Sequence, residues 1–167
     1  MLAPFNLEET VKVARLDETL LELAEDFAVQ VIDDRNFNYL SHAHPAEMLT
    51  DEWEIYVIIE ENKIIAWAQI QKFPGRLTKQ HVCKVGFIVL PEWRGKGYGG
   101  YLLRYVIEKC RLYRKIVAHV YADNVVMLGM FLKQGFIIEG FYTNEVLLDK
   151  EFRHVVSLAR HQDERKD

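Results

Sequence analysis

The sequence predicts a single α/β domain: a mixed, strongly twisted β-sheet flanked by helices. Three observations carry that expectation. Strand-like segments interleave with amphipathic helical ones. Strand pairs stand toward both ends of the order, which favours a mixed sheet over a purely parallel one. The 167 residues, half of them hydrophobic, match one domain able to bury a sizeable core. The domain is expected over residues 1–160, and the polar stretch 161–167 reads as a frayed tail.

Thr10 to Leu16 alternates enough for a first strand. Asp17 then offers an N-cap before the periodic set Leu20, Leu21, Leu23, Ala24, Phe27, Ala28 and Val31, predicting a helix over 18–32. A second helical region is expected over 35–50, broken or kinked at Pro45. Residues 54–59 (EIYVII) and 63–71 (KIIAWAQIQ) read as a hairpin ended by Pro74-Gly75. Residues 82–90 (VCKVGFIVL) form the next strand and run into the glycine-rich stretch Arg94 to Gly100. Leu102, Leu103, Val106, Ile107 and Cys110 mark one face of a helix reaching to about Tyr113. A fifth strand is expected over 115–121, then a short helix within 124–134 with Gly135 suited to its C′ position. Residues 136–148 and 152–159 are expected to close the chain as a hairpin.

Composition narrows the function classes. No apolar run reaches eighteen residues and the first residues lack a signal-peptide pattern, so a soluble cytoplasmic protein without a membrane partner is expected. Cys83 and Cys110 lack metal-ligand spacing and read as buried free thiols, so no metal site is expected. Residues 1–60 carry 14 acidic and 3 basic side chains, residues 61–167 carry 11 and 18. An acidic part lining a cleft would attract a cationic acceptor, and the basic part suits a phosphorylated cofactor. The net charge of −4 argues against non-specific nucleic-acid binding. A homodimer through an open sheet edge or an apolar helix face is compatible with the chain.

The chemistry concentrates at Arg94-Gly95-Lys96-Gly97-Tyr98-Gly99-Gly100. The first amides of a helix have no internal partners and can converge on an anion, glycines allow close approach, and Arg94 and Lys96 add positive charge. A pyrophosphate is the natural ligand. The GxxxxGK spacing of a phosphate-binding P-loop is missing. Gly95, Gly97 and Gly100 do give GxGxxG, but away from a first strand and without an acidic residue about twenty positions on, as a dinucleotide fold requires.

The segment PEWRGKGYGGYLL (91–103) closely resembles the acyl-CoA-binding motif of the GCN5-related N-acetyltransferase (GNAT) superfamily, with Arg94, Gly97 and Gly99 filling its defining places. Residues 120–140 resemble the family's second cofactor segment through Asn124 and through Lys133, Gly135 and Phe136. Glu139-Gly140 and the closing LDKEFRHVVSLAR are similar to the ribosomal-protein and polyamine acetyltransferase branch, with His154 and Leu158 as departures. The likeness covers residues 82–160, extending toward 54, and the two motifs stand 25 residues apart from Gly99 to Asn124.

The resemblance implies acetyl-CoA as co-substrate, its pyrophosphate on the 94–100 turn and its pantetheine along the edge at Phe87, Ile88 and Val89. It further implies direct transfer of acetyl to the primary amine of a cationic small molecule, polyamine or protein. An acyl-CoA-binding protein without turnover is the alternative. Relatives place a proton-donating tyrosine seven residues after the motif asparagine; here that residue is Phe131. Tyr121 or solvent is left as the acid, with Tyr98 and Tyr142 as further tyrosines. Where histone-modifying relatives place a catalytic glutamate on the fourth strand this chain has Cys83, leaving His81, two residues earlier on the strand, and His119 as proton acceptors. Trp53, Tyr56, Trp67 and Trp93 are candidates to line an acceptor tunnel, and Phe37, Tyr39, Leu40 and His42 to shape its mouth.

Overall fold

The computed structural model describes residues 11–31 and 44–162. The acceptor-mouth residues Phe37, Tyr39, Leu40 and His42, most of the expected 35–50 helix and residues 163–167 lie outside them. Within 35–50 the described part is one 3-10 turn, Pro45–Met48, opening on the proline.

The first strand, β1, is confined to Val13–Arg15. Leu16 still donates its amide to the Ile55 carbonyl at 2.9 Å, but Asp17 redirects the chain by accepting from the Thr19 amide at 2.9 Å. A 3-10 turn, Glu18–Leu20, therefore precedes helix α1, Leu21–Val31. Strands β2 (Trp53–Glu60) and β3 (Lys63–Gln71) form the expected hairpin. Its two connecting residues, Glu61 and Asn62, have φ of 49° and 59°, the twist that suits a two-residue turn. Strand β4 (Val82–Val89) leads through a 3-10 turn at Pro91–Trp93 into helix α2 (Tyr98–Lys109), shorter than the periodicity suggests because the chain leaves the helix at Cys110. Strand β5 (Lys115–Tyr121), helix α3 (Val125–Lys133), strand β6 (Ile137–Leu148) and strand β7 (Glu151–His161) complete the order.

One seven-stranded sheet holds them in the order β1-β2-β3-β4-β5-β7-β6. Every pair is antiparallel except β4 and β5, which are parallel and joined through α2. The final hairpin returns so that β7 takes the place beside β5 and β6 lies outermost. The sheet is covered on both faces. Leu102, Leu103, Val106 and Ile107 of α2 and Phe131 of α3 pack on one side against Val85, Phe87, Ile116, Ala118 and Val120. Ala24, Phe27 and Val31 of α1 pack on the other against Val57, Trp67 and Ile88, with the Phe27 and Trp67 rings stacked 5.8 Å apart. Cys83 and Cys110 are free, buried thiols; their mutual hydrogen bond and burial push the Cys83 thiol far above its ordinary range. Among the described residues no helix is long and apolar enough to cross a membrane.

Candidate active site

The site originates in one irregularity of the sheet. Strands β4 and β5 are in register only at Val82–Lys115, Cys83–Ile116 and Lys84–Val117. Beyond Lys84, residues Val85 to Val89 remain paired with β3, and Ala118 to Tyr121 with β7, but the two strands part from each other. The β5-facing edge of β4 from Phe87 to Val89 has no strand partner, so backbone groups there other than the Val89 carbonyl, which Arg94 occupies, are available to a ligand. A cleft of about 210 Å³ opens at the parting. Phe87, Met127 and Phe131 line it toward α3; Gln69, Lys84, Gly86, His119 and Tyr121 line it toward the opposite face.

The glycine turn sits at the far end of the parted β4. Gly95 and Gly97 have φ of 75° and 91°, a region that costs other residues about 1–2 kcal/mol. Gly97 is the N-cap of α2 and carries no side-chain cap, so the helix's first amides are left to whatever binds there. Arg94 donates from Nε to the Val89 carbonyl at 2.9 Å, which ties the turn to the end of β4. Lys96 lies over the Trp93 ring, 4.6 Å from its centroid, and Tyr98 meets the same ring edge-on at 5.8 Å. Gly99 is tightly packed: a Cβ there would stand 3.1 Å from Met130 Cε and 3.2 Å from Phe87 Cε2. The start of α2 is thereby pressed against α3 and the cleft-lining Phe87. Gly100 follows within the helix, where an added Cβ would meet Arg104 alone, at 3.9 Å.

Helix α3 points its N-terminus at the cleft. Asn124 caps it, Oδ1 accepting from the Met127 amide at 3.2 Å, and lines the cleft itself. Lys133 is exposed at the other end of α3, away from the cleft lining. Phe131 is buried, its ring 5.8 Å from Phe87 and 4.9 Å from Phe136, so the position that carries a tyrosine in relatives contributes only apolar surface.

Two of the catalytic candidates separate in space. Tyr121 lines the cleft, is 6% exposed, and its hydroxyl is buried without a hydrogen-bond partner. Burial pushes its pKa up, against the Arg153 guanidinium stacked 3.8 Å from its ring centroid, so the phenol stays protonated at neutral pH. His81 is exposed in the turn before β4, outside the cleft lining, where its carbonyl accepts from the amides of Arg114 and Lys115. His119 does line the cleft; burial first, then the nearby Lys84 charge, holds its pKa down at about 4, so its imidazole is neutral. Tyr98 is buried against Trp93, and Tyr142 lies edge-on to His119 at 5.9 Å. Of the tryptophans, Trp53 reaches the cleft while Trp67 belongs to the α1 core.

Sequence reasoning missed Lys84, Gln69, Gln71 and Glu145, all of which line the cleft. A signal was present: Gln69 pairs with Gly86 and Gln71 with Lys84, so polar residues recur at alternate positions on one face of two otherwise apolar strands. Burial lowers the Lys84 pKa to about 8. Among the described residues, no cluster of His, Cys, Asp and Glu is placed to hold a metal ion.

Known proteins resemble this chain in sequence and in fold. YwnH of Bacillus subtilis (strain 168), provisionally named a phosphinothricin acetyltransferase, is 29% identical over 106 residues, 60% of this chain and 63% of YwnH. The L-amino acid N-acetyltransferase AaaT of Escherichia coli (strain K12) is 30% identical over 88 residues, 51% of this chain and 54% of AaaT. The matched part thus spans less than two thirds of either relative. A phosphinothricin acetyltransferase of Sinorhizobium meliloti, solved in complex with AcCoA, superposes with a TM-score of 0.79 at 17% identity, covering 93% of this chain and 90% of that one. Residues 18–136, which run from the start of the first helical turn through the glycine turn to the end of α3, match the acetyltransferase (GNAT) family, and the chain belongs to that family.

Proposed function

We propose that the protein is an acetyl-CoA-dependent N-acetyltransferase that passes an acetyl group directly to a primary amine. The observation that carries this reading is the parting of β4 and β5 after three paired residues, which opens a cleft lined by a buried Tyr121 whose hydroxyl has no hydrogen-bond partner, with the glycine turn following the end of the parted β4.

The residues suit the co-substrate. Its pyrophosphate would lie on the amides of Gly95 to Gly100 with Arg94 and Lys96 beside it, and its amide-bearing arm along Phe87, Ile88 and Val89 with Asn124 opposite. When bound, acetyl-CoA supplies an activated thioester carbonyl. The chain's part is to hold that carbonyl and the amine together, which removes much of the entropic barrier, and to manage two protons. Tyr121, protonated at neutral pH, is the donor to the departing sulfur. His119, neutral at the same pH, is the cleft histidine that can relay the proton leaving the amine to water, since a pKa of about 4 keeps it from holding that proton; His81 stands outside the cleft lining.

Relatives named for phosphinothricin and L-amino acids support a small amine as acceptor. Among the described residues of the acidic segment 1–60, Trp53 lines the cleft, so the described acids of that segment add no support for a cationic one. Phe131 supports a second reading, binding of acyl-CoA without turnover.

Titration with acetyl-CoA, followed by thiol-release assays on a panel of amines, separates the two. Binding with release supports transfer; binding with no release for any amine supports the second reading. Arg94→Glu should weaken acetyl-CoA binding about 10- to 100-fold, the worth of a charge-assisted contact. Unchanged affinity would remove the phosphate site.

A further inference from the structure

We infer that the face of the final hairpin carrying Ile138, Phe141, Leu147 and Phe152 is a two-fold contact with a second copy of this chain. The inference stands apart from the acyl-transfer reading and rests on where apolar surface is left uncovered.

Strand β6 has the composition of an interior strand and the position of an exterior one. Seven of its twelve residues are hydrophobic, yet none is buried. Among the described residues, six of the twelve large apolar side chains that stand exposed belong to β6 and β7. Register sorts them by face. Ile138 pairs with Leu158 and Phe141 with Val156, both core residues on the side that carries α2 and α3. Leu147 pairs with Phe152, which follows the same alternation along β7. The Phe141 ring lies 5.4 Å from that of His154, so the patch continues from one strand onto the next. Its four members are exposed at 57%, 57%, 61% and 63%, uncovered by either helix.

At these exposures the two phenylalanines offer about 120 Å² each, and with Ile138 and Leu147 the patch comes to about 400 Å² of apolar side chain. Two such patches set face to face remove about 800 Å², and at the roughly 60% apolar share of interfaces this implies about 1,300 Å² in all, within the range of stable specific complexes. The edge of β6 is itself defended against open-ended strand addition. Register shifts fall between Ile138 and Gly140 and between Tyr142 and Val146, with Glu139 and Glu145 at them. A face used once by each copy closes at two. A lipid surface suits the patch poorly, because β6 carries two glutamates and no Lys or Arg. The remaining parts of the chain join elsewhere: 1–10 at β1 on the opposite edge of the sheet, and 32–43 between α1 and the Pro45–Met48 turn, which pack on the other face. Residues 163–167 are all charged and offer no apolar cover. Glu145 and Val146 line the cleft, so a copy seated against Phe141 and Leu147 spans the stretch of β6 that β7 does not hold in register and steadies that wall of the site.

The test is sedimentation velocity of the full chain over a dilution series reaching about 100 µM, since interfaces of this size hold at micromolar concentration or tighter. The wild type should sediment as a dimer at the upper end. Phe141→Asp and Phe152→Asp, made separately and shown to be folded by circular dichroism, should each weaken association about 30-fold or more, the worth of a central aromatic anchor. Leu112→Asp, at an exposed leucine in the turn between α2 and β5, should leave it unchanged. Amide hydrogens of 138–147 should exchange more slowly in the wild type than in either folded phenylalanine variant at the same concentration. A wild type that remains one chain throughout the series overturns the inference, whether its β6 amides exchange freely, are protected by the chain's own residues, or become protected on phosphatidylcholine vesicles. A dimer that neither phenylalanine substitution weakens overturns it as well.

Discussion

Replacing Tyr121 by Phe should make the protein more stable and less active at once. The hydroxyl is buried and lacks a hydrogen-bond partner, and an unsatisfied buried polar group costs about 1–3 kcal/mol. Phenylalanine keeps the ring that packs at 6% exposure and the face on which Arg153 rests 3.8 Å away, so removing the oxygen relieves the penalty with little loss of contact. The gain should be about 1–2 kcal/mol, which for a chain of 167 residues raises Tm by about 2–8 °C. If the hydroxyl protonates the leaving sulfur, the same change should lower kcat about 10²- to 10⁴-fold, the usual worth of a general acid. The checks are thermal unfolding without ligand and thiol release at saturating acetyl-CoA. A variant that is less stable than wild type would show that the hydroxyl is satisfied in solution, and an unchanged kcat would show that the proton comes from elsewhere; either result refutes the reasoning.

Gly99→Val should cost about 1–3 kcal/mol, seen as a lower urea midpoint, because even a Cβ at that position crowds Met130 and Phe87 and a branched side chain cannot be absorbed by the flexible Met130 alone. Gly99→Ala should cost less, since Met130 Cε can retreat by a few tenths of an ångström. His119 has its pKa held down at about 4 by burial and by Lys84, so between that value and its ordinary 6.5 the unfolded chain binds more protons than the folded one. Its contribution to stability is complete above about pH 6.5 and is lost as pH falls toward 4; His119→Gln should therefore show a shallower loss of Tm between pH 7 and pH 4.5, and an identical loss would show that the imidazole is not shielded.

Local signals carried much of the fold. Residues 115–121 form β5 with both ends as expected, because alternation bounded by polar residues leaves no competing pattern. The glycine turn and Asn124 were legible because their chemistry is local: left-handed backbone at Gly95 and Gly97, and a side-chain cap. Other features depend on tertiary context. Asp17 cuts the first strand short through a side-chain bond that competes with the ladder. Nothing in 136–159 says that β7 rather than β6 will lie beside β5, since either strand offers an apolar set. Lys84 was hidden because a strand covered on both faces reads as a near-continuous apolar run, so its one charge has no evident side until the register with Gln71 assigns one. The acid-rich first sixty residues raise a related point: charge counted along the chain does not say which residues face a cleft, and among the described residues of that segment Trp53 lines it.

The three-residue ladder between β4 and β5 also has a mechanical meaning. Four strands on one side of it and three on the other are joined there by little backbone, and otherwise through side chains of α2 and α3. An amide-bearing ligand threaded along the free rim of β4 would complete the hydrogen bonding across the gap and fasten the two halves together. Amide hydrogens of Val85 to Val89 should then exchange more slowly as ligand is added, making the rigidity of the centre of the molecule a function of cellular thioester supply.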